Sequence, residues 1–181
     1  WPVTLKPRPF FLGGVMQATG NQPPSMVAAR GAFMTQDLRR SAALYDVPIL
    51  DTPNNFFSAP LQKSAMGVGR LLCAAQLEEV GDDKLLELAV AASDCIHSDR
   101  TFRNGTELTI DNKLLDEACS RAGLDATSLL KLAQGESVKR ALRANTDEAV
   151  KRGAFGSPTA FVFAAERPGM AETNCMFFGS D

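Results

Sequence analysis

Apolar residues recur at helical spacing through most of the chain. Positions three and four residues apart are repeatedly apolar, a pattern typical of amphipathic helices. The predicted helices span residues 33–45, 61–80, 83–97, 111–122, 126–133 and 136–152. Gly81 and Gly123 follow two of them as helix stops, and Asp or Asn residues open the next helices as N-caps. The chain is therefore predicted to be mainly helical between residues 33 and 152.

Strand-like patterns lie towards the two ends of the sequence. Residues 1–11 alternate in part, with apolar Val3 and Leu5 before two prolines, and are predicted to form a strand that leads into a loop. Residues 160–164 and 174–178 are predicted to be two adjoining strands, joined by a Pro-Gly loop. Residues 20–31 and 48–60 contain repeated Gly or Pro and are predicted to be loops. This order indicates an α/β or α+β domain with a helical insertion.

The stretch "KRGAFGSPTAFVF", residues 151–163, joins the last predicted helix to a predicted strand. Gly153 and Gly156 indicate a helix stop followed by a tight turn. Pro158 stands at the mouth of the strand, since a proline lacks the N–H that a central strand position needs. The Ser157–Pro158 bond is either trans, as at an ordinary strand start, or cis in a tight turn. The local pattern leaves both forms open.

Composition and charge narrow the classes of function. The chain has 181 residues, of which 45% are hydrophobic and 22% charged, which is ordinary for one soluble domain with a real core. Its net charge of −2 and the lack of a basic stripe speak against a nucleic-acid partner. No apolar run reaches the roughly 18 residues that a membrane span needs. The expected partners are therefore small molecules or proteins.

Cysteine and histidine usage indicates neither a disulfide framework nor a metal site. The cysteines, Cys73, Cys95, Cys119 and Cys175, form no C-x-x-C pair, and three lie in helix-like apolar stretches. They are predicted to be small core residues of a protein in a reducing compartment. The single histidine, His97, lies at a polar helix end and is predicted to be a solvated surface residue. No metal is therefore expected, since one histidine and scattered cysteines do not give a ligand set at metal spacing.

Four stretches together resemble the kappa-class glutathione transferases and the similar 2-hydroxychromene-2-carboxylate isomerases. They are "LKPRPFFLGGVMQATGNQPP", "FMTQDLRRSAALYDVPI", "ANTDEAVKRGAFGSPTAFV" and "MFFGSD", which run through the whole chain in the family's order. The closing "FGSD" is more similar to the kappa class than to the isomerases. The resemblance implies an α/β fold, a thioredoxin-like sheet with a large all-helical, DsbA-like insertion. On this basis residues 1–32 and 145–181 form the thioredoxin-like domain, incomplete at both ends, and residues 33–144 the helical insertion.

The resemblance also implies a binding site for glutathione, the expected co-substrate. In such folds the proline before the third core strand is cis, and the residue before it pairs its backbone with the peptide ligand, which here implies Pro158 and Ser157. Ser180 and Asp181 correspond to the γ-glutamyl site, with Asp181 against the ammonium group. Asn21 corresponds to a polar contact with the glycyl end or the cysteinyl backbone. Arg30 stands where the family usually has a lysine beside the glycyl carboxylate.

The family's catalytic serine lies in an "SPY"-like motif that is expected ahead of Trp1, so no catalytic residue is assigned within these 181 residues. The resemblance implies a homodimer that conjugates glutathione to small electrophiles in detoxification, located in mitochondria or peroxisomes, or otherwise in the cytoplasm. Two alternatives stay open at this point. One is a glutathione-dependent isomerase of a ring-opened aromatic acid, and the other is a non-catalytic glutathione-binding or dimerising scaffold.

Overall fold

The structure is a computed structural model that describes residues 3–163 and 175–179. Seven helices and four strands are assigned in these ranges. The helices are α1 (Leu12–Thr19), α2 (Ala28–Leu44), α3 (Ala59–Leu77), α4 (Asp82–His97), α5 (Asn112–Arg121), α6 (Ala126–Ala133) and α7 (Glu136–Lys151). The strands are β1 (Arg103–Asn104), β2 (Glu107–Leu108), β3 (Thr159–Val162) and β4 (Cys175–Phe178). All six helices predicted from apolar spacing are present, with bounds that differ by a few residues.

Side-chain caps fix where several helices begin. Ser58 accepts a hydrogen bond from the backbone N–H of Leu61 at the start of α3, and Asp111 accepts one from Leu114 at the start of α5. Asp125 accepts from Thr127 at the start of α6. Each of these oxygens satisfies an N–H that has no partner within the helix, so the polar residues between the apolar stretches set the helix starts.

The main hydrophobic core lies among α3, α4, α5, α6 and α7. Helix α4 packs on α5, and α3 packs on α4, α6 and α7. The largest side chains without exposed surface include Leu71, Leu88, Leu114 and Val138, one from each of four helices. Cys73, Cys95 and Cys119 are also fully buried in this core, which confirms their prediction as small core residues. Cys175, in contrast, lies exposed on β4.

The strands form two small antiparallel pairs. Strands β3 and β4 pair with Thr159 opposite Phe178 and Val162 opposite Cys175, as the two strand-like runs predicted. Strands β1 and β2 form a short hairpin around Gly105, which adopts a φ of 61°. This hairpin was not predicted, because two residues per strand are too few to show an alternating pattern.

The predicted strand over residues 1–11 is wrong for the described part of that segment. Residues 3–11 have no regular secondary structure, and Val3 and Leu5 are exposed. Pro7 and Pro9 remove two backbone donors, and no described strand pairs with this segment. Helix α1 follows directly at Leu12. It was missed because Gly13 and Gly14 lower helix propensity in its first turn.

The exposure of His97 differs from the prediction, and the predicted domain boundary at residue 145 is not tested. His97 is half-buried, not fully solvated, and burial together with the positive charge of Arg103 lowers the pKa of its imidazole. The division of the chain at residue 145 stays a prediction, since α7 passes through this position without a break and packs on both α3 and α1. Within the described ranges, no helix combines the length and the apolarity required to cross a membrane.

Candidate functional site

The candidate site is the loop between α7 and β3, and its position is set by how α7 ends. Gly153 adopts a left-handed φ of 95°, which favours glycine. Its N–H donates to the carbonyl oxygen of Val150, and the N–H of Ala154 donates to that of Ala149, both at 2.9 Å. This pair of bonds is a Schellman motif, which stops the helix and turns the chain sharply. Ala154 is then buried, and the loop 155–158 begins from a fixed point.

Phe178 of β4 packs against this loop. The rings of Phe155 and Phe178 lie with their centroids 4.3 Å apart. A Cβ atom added to Gly156 would lie only 2.6 Å from Cε2 of Phe178, so a glycine is required for this close approach. The loop therefore packs on the strand pair through the contact of Phe155 with Phe178. Gly156 permits this close packing because it has no side chain.

Ser157 and Pro158 lie at the exposed end of the loop. Their peptide bond is cis, one of the two forms that the sequence left open. The Thr159 hydroxyl donates to the carbonyl oxygen of Gly156 at 2.8 Å, and the N–H of Gly179 donates to that of Pro158 at 3.1 Å. Between these two bonds, the N–H and C=O of Ser157 make no hydrogen bond to another described residue. The exposed backbone of Ser157 therefore has the capacity to pair with an extended peptide.

Asn21 is brought to the same loop by the end of α1. Its side-chain amide nitrogen donates to the carbonyl oxygen of Phe155 at 2.7 Å, and its Oδ1 accepts from the N–H of Gln22 at 2.8 Å. Gly20, with a φ of 74°, ends α1 one residue earlier and turns the chain towards the loop. Of the six residues implied by the resemblance, Asn21, Ser157 and Pro158 are thus placed around one loop.

Helix α1 is itself anchored on α7, which fixes the position of Asn21. The N–H of Phe11 donates to the hydroxyl oxygen of Thr146 at 2.9 Å, and the side-chain amide of Asn145 donates to the carbonyl oxygen of Pro9 at 2.9 Å. Both acceptor and donor side chains belong to α7, the helix that ends at the loop. Helix α7 therefore positions both Asn21 and the loop.

The other three implied residues are not joined to the loop by a described contact. Arg30 is exposed in the first turn of α2 and makes no hydrogen bond or ion pair with a described residue. Ser180 and Asp181 lie outside the described residues. The structure also adds two residues that sequence reasoning missed, Phe155 and Phe178. Nothing in the local pattern links two phenylalanines that are 23 positions apart.

Thiol and metal chemistry are absent from the loop as described. Burial raises the pKa of the Cys73 and Cys119 thiols to about 11, so both are protonated near neutral pH. Among the described residues, no three His, Cys, Asp or Glu side chains are grouped as metal ligands. The loop offers backbone donors and acceptors beside one amide side chain. These groups can bind and orient a peptide, and a proton-transfer group would have to come from elsewhere.

Comparison with known proteins gives consistent similarities over the full sequence. The family described as "DSBA-like thioredoxin domain" matches residues 1–181. The chain is 31% identical to rat glutathione S-transferase kappa 1 and 30% identical to the human protein of that name, and in both cases the match covers 100% of this chain and 75% of the relative. A Caenorhabditis elegans protein with the same name is 28% identical, over 99% of this chain and 74% of that protein.

Proposed function

Because this chain belongs to the kappa-class glutathione transferases, within the DSBA-like thioredoxin domain family, we propose that it binds glutathione along the loop 155–158. It is a transferase enzyme of thioredoxin-like fold with a helical insertion. In the proposed reaction the sulfur of the glutathione thiolate bonds to an electrophilic carbon of a small molecule, and a leaving group such as halide departs with the electron pair. The thiol proton passes to solvent before the attack.

The observation that carries the proposal is the Ser157 backbone beside Asn21. Ser157 presents an N–H and a C=O that are exposed and unpaired with other described residues, as an extended cysteinyl residue would require for pairing. Asn21 donates a hydrogen bond to the carbonyl oxygen of Phe155, two residues before Ser157, and so restrains the loop beside the Ser157 backbone. Preorganisation of this kind lowers the entropy cost of binding.

We assign the ends of glutathione by the family resemblance. Asp181 and Ser180 would take the γ-glutamyl ammonium and carboxylate, and Arg30 would take the glycyl carboxylate. The hydroxyl that stabilises the thiolate would come from a serine in an "SPY"-like segment ahead of Trp1, because a preorganised donor lowers a thiol's pKa. An Asp181→Asn variant that keeps full glutathione affinity would remove Asp181 from this assignment.

We also propose a homodimer, and the exposure of α2 supports it. Helix α2 buries none of its 17 residues, and Phe33, Leu44 and Tyr45 at or beside it are 59%, 78% and 65% exposed. A second copy packed on this helix would cover these side chains. Sedimentation at several concentrations tests it, because a species of one chain's mass throughout would contradict the dimer.

Detoxification in mitochondria or peroxisomes is proposed from the resemblance alone and is tested by imaging the tagged full-length protein.

The proposed glutathione site is tested with a matched pair of variants at one residue. Ser157→Pro removes the backbone N–H, whereas Ser157→Ala removes only the side-chain hydroxyl. Calorimetric titration with glutathione should show loss of binding in Ser157→Pro and affinity within about twofold of the parent in Ser157→Ala, a difference too small to signal a lost hydrogen bond. Circular dichroism checks that both variants fold. Equal affinity of Ser157→Pro and the parent would refute backbone pairing at Ser157.

The reaction class needs a separate assay on the full-length protein. Turnover of a halonitrobenzene with glutathione supports the transferase. Turnover of a ring-opened aromatic acid with glutathione, and no turnover of the halonitrobenzene, would favour the isomerase. Binding without turnover of either would favour the non-catalytic scaffold. We expect halonitrobenzene conjugation, since the named relatives are transferases.

A further inference from the structure

A cavity lies on the helical side of the molecule, lined by residues of α1, α3 and α7. Its volume is about 580 Å³, within the range of sites for small organic ligands. Apolar side chains form much of its wall, namely Phe11, Met66, Leu142 and Val150. None of these residues belongs to the loop 155–158, so the cavity is a different surface from the proposed glutathione site.

Cationic side chains surround this apolar wall. Arg70 of α3 and Lys139, Arg143 and Lys151 of α7 line the cavity, whereas Asp147 is the one acidic residue among the described lining residues. The cavity therefore carries three more positive than negative charges, although the whole chain has a net charge of −2. This concentration of positive charge would attract an anion.

Three of these cations come from neighbouring turns of α3 and α7. Lys139 and Arg143 are four residues apart, so their side chains lie one helical turn apart on one face of α7. Arg70 lies on the facing helix α3, which meets α7 at Gly69, where an added Cβ would lie 3.7 Å from Cδ2 of Leu142. Lys151 is eight residues beyond Arg143, about 12 Å along the helix axis. Val150 of the apolar wall lies on the same helix between these two residues.

Three of these four cations form no ion pair with a described carboxylate, although Glu136 also interacts electrostatically with Arg143. Lys139 pairs with Glu136 at 2.6 Å, outside the cavity lining. Arg70, Arg143 and Lys151 form no ion pair with any described residue, and Asp147 forms none with them. Arg70 is half-buried. Two guanidinium groups that form no ion pair with a described carboxylate suit the planar, bidentate recognition of a ligand carboxylate.

We propose that this cavity binds a small organic anion with an apolar body, specifically a medium-chain carboxylate. The carboxylate would lie between Arg70 and Arg143, and the hydrocarbon chain would cover Met66, Leu142 and Phe11 in the direction of Val150. A compact polar anion would leave the apolar wall in water, and a neutral apolar molecule would leave the cations without a partner. The inference goes beyond the proposed glutathione function and does not depend on it.

The test is calorimetric titration of this chain with decanoate, with decanol as the uncharged control of the same length. We expect saturable binding of one decanoate, and binding of decanol weaker by about tenfold or more, as for loss of a charged hydrogen-bonded pair. The double variant Arg70→Gln with Arg143→Gln should weaken decanoate binding by about tenfold or more and change decanol binding little. Thermal unfolding checks that the variant folds.

Arg140→Gln provides the matched control. Arg140 lies on α7 with Arg143, is exposed and does not line the cavity, so the same Arg→Gln substitution there, which removes one positive charge, should leave decanoate affinity within about twofold. The proposal is overturned if decanoate does not bind, if decanol binds equally well, or if Arg140→Gln weakens binding as much as the double variant. Loss of decanoate binding in a folded Ser157→Pro variant would also overturn it, because the ligand would then occupy the loop 155–158.

Discussion

The helical core and the strand pair with its loop are stabilised in different ways. In the core, the apolar side of each helix is covered by other helices, so that Leu71, Leu88 and Leu114 have no exposed surface. In the strand pair, all four residues of β4 are exposed, and Phe177 keeps 60% of its surface in contact with solvent. The core therefore depends on many overlapping contacts, and the strand pair on few.

Three interactions connect the loop that precedes β3 to α1 and β4, the segments that flank it in space. They are the hydrogen bond from Asn21 to Phe155, the packing of Phe155 on Phe178, and the bond from Gly179 to Pro158. Since none of them uses the helical core, changes in the core should alter global stability, and changes at the loop should alter binding more than stability. The comparison predicts that stability and binding can be separated by mutation.

The largest loss of folding stability is expected from a substitution in the helical core. Leu88→Ala removes a fully buried side chain from α4 and should lower the free energy of unfolding by roughly 2–5 kcal/mol. Leu86→Ala is the matched control, because Leu86 lies on the same helix and is 40% exposed. Urea denaturation measures both variants. Equal losses for Leu86→Ala and Leu88→Ala would mean that burial in α4 does not set the stability of this region.

A smaller effect on stability is expected at the loop, with a larger effect on binding. Gly156→Ala would place a methyl group in the space of the Phe178 ring, which should cost roughly 1–3 kcal/mol of stability and displace the loop. Phe178→Leu makes room, so the double variant should lose less stability than the two single variants combined. Urea denaturation and glutathione titration check both effects. Additive losses would show that Gly156 and Phe178 do not interact as described.

A third prediction concerns pH and the two buried thiols of Cys73 and Cys119. Burial raises the pKa of Cys73 and Cys119 to about 11, whereas an unfolded chain releases the same protons near pH ~8.5. Their contribution to stability is therefore full below that pH and is lost as the pH rises towards 11. Unfolding free energies measured from pH 8 to 11 should fall less steeply in the double variant Cys73→Ala with Cys119→Ala.

The helices could be predicted from the sequence because their signals are local. Apolar spacing and caps such as Asp125 lie within the segments that they define, and α6 has the predicted bounds, residues 126–133. Elements that depend on contacts with distant segments were predicted less well. Val3 and Leu5 alternate with polar residues as in a strand, but no described strand lies beside them, and α1 forms despite Gly13 and Gly14 because it packs on α7.

The candidate site could be predicted only in part for the same reason. The turn at Gly153, Gly156 and Pro158 is visible as a local motif, and the resemblance pointed to Asn21. The contact between Asn21 and Phe155 spans 134 positions, and Phe178 reaches the loop through strand pairing. Neither contact leaves a pattern in one sequence, since both arise when α7 and the strand pair come together.

The most direct test of this account is glutathione titration of Asn21→Ala together with its thermal unfolding. Asn21 belongs to the loop's support and not to the helical core, so we expect glutathione affinity to fall by about tenfold, as for loss of one positioning hydrogen bond. The midpoint of unfolding should change by only a few degrees, in keeping with a cost of about 1 kcal/mol. Unchanged glutathione affinity in Asn21→Ala, with the parent binding normally, would contradict the assignment of this loop as the glutathione site.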